Sequence, residues 1–194
     1  STNEILNNIE IQIAKNEELY DDEIPEIFPK MEDTEPEYVI CTYKDTICDE
    51  SKLRKQNKVV EFNRQNKLNN EIGNRGEEIV KKAEKEKLIN LGMEDKAKLV
   101  SIVSSDNTLG YDVRSFNEFG EEIHIEVKST KGNGKNYKFY ITQNELEKNN
   151  NDSTHTIYLV TAVSTHKPKI HILGKLNNNI TLIPVLYSAN IELN

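Results

Sequence analysis

In the stretch IHIEVKST, residues 123–130, a carboxylate at Glu126 and an amine at Lys128 stand two positions apart. Ile123, Ile125 and Val127 alternate with His124, Glu126 and Lys128, the period of a strand with one apolar and one polar face. Upstream, Asn117-Glu118-Phe119-Gly120 separates it from a second expected strand at 110–116. A left-handed Gly120 closing a three-residue loop pairs Asn117 with Glu121, and that register sets Asp112 opposite Glu126. Opposed residues on neighbouring strands share a face, with Cβ atoms about 5 Å apart. Two carboxylates that close repel unless a cation lies between them. A hard divalent ion, Mg2+ with Mn2+ as substitute, favours such oxygens and leaves positions for water and phosphate. Lys128 leans over the same face, where it would orient or help deprotonate an attacking water. Acid, hairpin, acid-x-Lys is an arrangement for phosphodiester hydrolysis.

The elements that must hold these residues follow from periodicity and punctuation. Ile72, Ile79, Val80, Ala83 and Ile89 fall near one face of a helix expected from 71, with Gly92 as its stop. One more helical turn is expected at 93–98, a strand at 99–103, a loop at 104–109, then the two hairpin strands at 110–116 and 121–130. A short strand at 139–141 precedes Thr142-Gln143-Asn144-Glu145, a capping-box signature opening a helix to about 148. Strands at 155–163 and 169–173 follow, and the tail from Gly174, with its apolar ITLIPVLY, is expected to pack on a sheet edge. This order predicts an α/β fold with a mixed β-sheet flanked by helices.

Ahead of that domain the chain changes character. Ile5, Leu6, Ile9 and Ile13 form a helical stripe, and the segment after Leu19 combines three prolines with a dense run of acid, as an extended arm would. A strand is admissible at 38–48, and 52–67 is basic and helix-tolerant. Residues 1–50 hold 15 acidic and 3 basic side chains, whereas 51–90 hold 11 basic and 6 acidic. The net charge of −8 therefore hides an acidic N-terminal extension on a mildly basic domain. The expected division is an acidic helix and arm at 1–70 and a compact domain at 71–194. No apolar run nears 18 residues and no signal peptide is visible, so a cytoplasmic protein without a membrane partner is expected. Cys41 and Cys48 read as reduced thiols. The chain begins at Ser1 without Met, as a processed chain or a piece of a longer one would.

Gly-Tyr-Asp at 110–112 followed by Glu-Val-Lys at 126–128 resembles the PD-(D/E)xK nuclease superfamily. More closely, GNRGEEIV (73–80), LGYDV (109–113), IEVKST (125–130) and FYITQNELE (139–147), in that order, resemble the NO VEIN C-terminal domain family. Its members commonly end larger bacterial proteins linked to restriction and phage defence. The resemblance implies a restriction-endonuclease-like core and a Mg2+-dependent nuclease, with DNA as the expected substrate. Asp112 and Glu126 would bind the metal and Lys128 would position the water. The superfamily also uses a Glu on the first helix in a Gly-x-x-Gly-Glu context, which Glu77 matches, with Glu78 as its neighbour. Tyr111 replaces the Pro typical before the first Asp.

The loop Lys131-Gly132-Asn133-Gly134-Lys135, with Tyr137 and Lys138, offers charge, close approach and a stacking ring to a nucleic-acid backbone, and Gln143 is a further candidate for phosphate contact. Glu145 is explained by the capping box without chemistry. With four Arg (54, 64, 75 and 114) and no base-reading element, sequence specificity would belong to another domain or subunit. The competing reading is a catalytically silent nuclease-like module that docks a protein or nucleic-acid partner, with 1–70 as the interaction arm.

Overall fold

The computed structural model describes residues 28–39, 59–106, 108–134, 137 and 139–176, of which 59–69 are described as helical backbone only. Helix α1, Val59–Asn90, has no proline to interrupt it. It carries i,i+3 and i,i+4 ion pairs on its wet side, Lys81 with Glu78 and Lys82 with Glu86. It stops where Gly92 takes φ +75° and Met93 N reaches back to Leu88 O at 2.8 Å. Helix α2, Glu94–Leu99, follows at once. The strands are β1 Glu37–Val39, β2 Ser101–Ile102, β3 Val113–Phe116, β4 Glu122–Ser129, β5 His155–Thr161 and β6 Lys169–Gly174. Helix α3, Gln143–Asn151, lies between β4 and β5.

The six strands form one sheet in the order β1-β6-β5-β4-β3-β2. Two pairings are parallel, β1 with β6 and β4 with β5, and the rest are antiparallel, so the predicted mixed α/β sheet is present. Ile79, Val80 and Ala83 of α1 and Ala97 of α2 close a core with Val113, Ile125, Val127, Tyr158, Val160 and Ile170. At Gly76 the helix lies close against β4, and an added Cβ there would lie 1.8 Å from Ser129 Oγ. Helix α3 meets Lys128 of β4, which alternates onto the face opposite Val127 and Ser129, the residues that Gly76 of α1 meets.

Three expectations change. α1 begins at Val59 rather than 71 and so runs through the boundary expected at residue 70. Residues 139–141 form no strand, because β4 and β5 pair directly and both their edges are taken. Part of the acidic extension belongs to the sheet: β1 pairs with β6 just after Pro36, at the edge, where a proline costs no ladder bond. Arg75 donates to Thr34 Oγ1 at 2.7 Å, and Lys82 Nζ donates to the carbonyls of Met31 and Thr34 at 2.9 and 2.6 Å. These bonds strap 31–39 onto α1. The expected helix at 3–19, the two cysteines and the tail beyond 176 lie outside the described residues. Among the described residues no helix is long and apolar enough to cross a membrane.

Under the sheet one acid is wholly enclosed. Glu84 of α1 is 0% exposed. Its Oε1 accepts from Tyr38 Oη at 2.7 Å and from Tyr158 Oη at 3.3 Å, while Oε2 meets Ser115 Oγ and Lys87 Nζ, both at 2.5 Å. Both phenols are held protonated, their pKa raised first by burial and then by the Glu84 charge.

Candidate functional site

The hairpin that must build the site has the predicted register. Phe116 pairs with Glu122 and Val113 with Ile125, Asn117 N donates to Glu121 O at 2.9 Å, and Gly120 sits at φ +78°. The ladder then slips before Asp112. Its amide donates to Ile125 O at 2.9 Å, and its carboxylate Oδ2 takes Val127 N–H at 2.8 Å. A main-chain carbonyl would accept there in a regular ladder. Asp112 is thus drawn onto the seam of β4 instead of standing opposite Glu126.

The turn into Asp112 is clamped. Gly110 adopts φ +69°, and a Cβ there would lie 3.2 Å from Lys148 Cβ of α3. The Tyr111 ring is buried and stacks on His124 at 4.2 Å, with Lys148 Nζ 5.5 Å from its centroid. His124 is held in turn by Asp152 at 2.5 Å and Glu122 at 3.0 Å. Where a proline would restrict the chain by its own ring, Tyr111 is restricted by packing.

The face carrying Glu126 is not a wet side. Glu126 is 3% exposed, and β4 and β5 are covered on both faces, as central parallel neighbours usually are. Burial, with Asp112 and Glu145 nearby and Lys128 opposing, pushes the Glu126 carboxyl up to about 8. Asp112 is also raised, by burial and Glu145 against the Val127 N–H and Lys128. Burial disfavours the Lys128 ammonium, but Glu126 at 2.6 Å and Glu145 at 2.7 Å outweigh it and hold its pKa above the ordinary value. Three carboxylates therefore converge around one cation. Among the described residues no group of three or more His, Cys, Asp and Glu side chains is arranged to hold a metal ion.

Glu77 approaches from α1. It accepts from Ser104 Oγ at 2.7 Å, and burial and the Asp112 charge push its carboxyl up against that bond. It feels Asp112 but is not joined to Glu126. Glu78 pairs with Lys81 outside the site. Gln143 is exposed and donates to Glu147 Oε1 at 2.9 Å, along α3 rather than toward the carboxylates. Lys131 is exposed just beyond β4, Tyr137 donates to Gly134 O at 2.7 Å, and Lys135 and Lys138 lie outside the described residues.

Sequence reasoning missed Glu145. The capping box forms as expected, with Glu145 N on Thr142 Oγ1 at 3.3 Å and Thr142 N on Glu145 Oε2 at 3.0 Å. That same oxygen accepts from Lys128, a contact 17 residues apart that no local pattern announces. Asp152 was missed too: despite partial burial, bonds from His124, Thr154 and Lys148 hold its pKa far below the usual carboxylate range. Neither the curated proteins nor the solved structures yield a match to this chain. The family model for the C-terminal region of protein NO VEIN matches residues 76–173, just over half the chain, from the residue before Glu77 into β6. The chain belongs to the NO VEIN C-terminal family.

Proposed function

We propose that this domain is a metal-dependent nuclease with a restriction-endonuclease-like core, hydrolysing phosphodiester bonds of DNA within a bacterial restriction or phage-defence system. The observation that carries the reading is the buried seam where Asp112, Glu126 and Lys128 meet. Burial raises the pKa of both acids, so their ionised forms are disfavoured until a further cation beside them offsets that cost. Asp112 and Glu126 carry the carboxylate oxygens that Mg2+ and Mn2+ select. Asp112 and Glu126 would hold it, with Glu77 completing the shell. Bound there, the ion supplies Lewis-acid neutralisation of charge on the phosphodiester. Lys128, kept charged, would orient the attacking water, and Lys131, Lys135, Tyr137, Lys138 and Gln143 would meet the backbone.

The direct test is plasmid cleavage with Mg2+ or Mn2+ by the wild type, Glu126→Ala and Lys128→Ala. Cleavage by the wild type alone is expected; equal background in all three overturns the reading. One observation favours a second reading, a silent module docking a protein or nucleic acid. The site's cation is already Lys128, bound between two acids, and a scaffold needs no other. Such a scaffold gains no thermal stability from Mg2+, whereas a working site does.

A further inference from the structure

An ammonium has three N–H groups on a flexible four-carbon stem. At Lys128 one meets Glu126 Oε1 at 2.6 Å and another meets Glu145 Oε2 at 2.7 Å. Both acceptors are anchored. Glu126 is part of the central strand β4, and Glu145 Oε2 is held in the first turn of α3 by the Thr142 main-chain N–H at 3.0 Å, a bond that does not need the Thr142 side chain. The Lys128 side chain is 14% exposed, so the ammonium has little room to swing. The cap accounts for the bonds between Glu145 and Thr142 but not for the one to Lys128.

We propose that Glu145 is a positioning residue: with Glu126 it pins the Lys128 ammonium so that its remaining N–H is directed at the phosphate or water handled beside Asp112. The role in cleavage rests on the nuclease reading, while the pinning itself does not. Glu145 therefore serves the fold and the site with one oxygen, holding the N-terminus of α3 and the amine of β4.

The test uses the full chain, wild type, with Glu145→Ala, Glu145→Gln and Thr142→Ala. Lys128 acylation by an N-hydroxysuccinimide ester at fixed pH is followed by peptide mass spectrometry. Lys98, with its side chain 74% exposed, is the internal standard. Loss of one charged hydrogen bond predicts about fivefold or more faster acylation of Lys128 in Glu145→Ala, about twofold in Glu145→Gln, and no change in Thr142→Ala. In steady-state cleavage of a DNA duplex with Mg2+, kcat falls about tenfold in Glu145→Ala with KM within about twofold. Glu145→Gln recovers part of that loss, and Thr142→Ala stays near wild type. Unchanged acylation in Glu145→Ala, or an equal rise in Thr142→Ala, overturns the pinning. Loosened Lys128 with wild-type cleavage overturns the positioning role and leaves the nuclease reading standing. Acylation that follows Glu145 in a chain that cleaves nothing upholds the pinning and overturns the nuclease reading.

Discussion

Glu126 is ionisable, 3% exposed and neighbour to two further acids, so its ionised form is disfavoured by its surroundings. An acid whose folded pKa is raised from 4.5 to about 8 binds its proton more tightly in the native state between those values. Stability then falls as pH rises through that window. Glu126→Gln removes the loss and leaves Lys128 paired with Glu145. It should raise Tm at pH 8 by about 2–4 °C per kcal/mol recovered, with a smaller gain at pH 5. Differential scanning fluorimetry at the two pH values checks this; if the domain binds Mg2+ as proposed, the variant also loses the Tm gain from the added ion. His155 works in the opposite direction. It is 2% exposed, and burial lowers its pKa to about 4 against the pull of Asp152 and a backbone bond at Gly110. The unfolded chain takes up that proton near pH 6.5, so stability present above 6.5 is lost as pH falls to 4. The loss is on the order of 2–3 kcal/mol. Urea melts across this range should show a shallower decline in His155→Gln.

At the scale of the element, the approach of α1 to β4 depends on a missing side chain. Gly76→Ala would bring a methyl within 1.8 Å of Ser129 Oγ and 2.9 Å of its Cβ. Overpacking of this kind costs about 1–3 kcal/mol in a denaturant melt. Ser129→Ala in the same chain should return part of it, as a coupling above about 0.5 kcal/mol. What the sequence made legible was local. The register of β3 with β4 follows from one turn and one glycine, the α3 cap from four residues, and the stop of α1 from Gly92. Illegible were contacts set by distant chain. β1 overlaps the strand admitted at 38–48 only at Tyr38 and Val39, and its place depends on β6, more than a hundred residues on. Glu84 reads as one acid among the charges of α1, and its burial is visible only once Tyr38, Ser115 and Tyr158 surround it. In the site, Asp112, Glu126 and Lys128 could be named because a hairpin joins them. Glu145 could not be assigned its second partner, because α3 reaches Lys128 across the fold.

At the scale of the molecule, the N-terminal seventy residues are not simply an appendage. Deleting residues 1–39 removes edge strand β1, the acceptors of Arg75 and Lys82 and one donor to Glu84. Each buried polar group left unpaired costs about 1–3 kcal/mol, against a total stability of about 5–15 kcal/mol. That truncation should abolish a cooperative urea transition followed by far-UV circular dichroism, whereas deletion of 1–27 keeps every one of these contacts and should preserve it. A test of whether the acidic extension shields the basic domain is therefore cleaner with the shorter deletion.

Glu84 has a consequence beyond its hydrogen bonds. A helix packed through Ile, Val and Ala alone rests on surfaces that tolerate small sliding motions, but a carboxylate bonded at once to Tyr38 of β1, Ser115 of β3 and Tyr158 of β5 acts as a dowel. It fixes α1 along its own axis and about it. Glu77 stands two turns further up the same rod, about 10 Å away, so the dowel also sets how far the Glu77 carboxylate can stray from Asp112. A substitution at Glu84 would then appear at the site as an error of alignment, transmitted by a rigid element with no side chain in between.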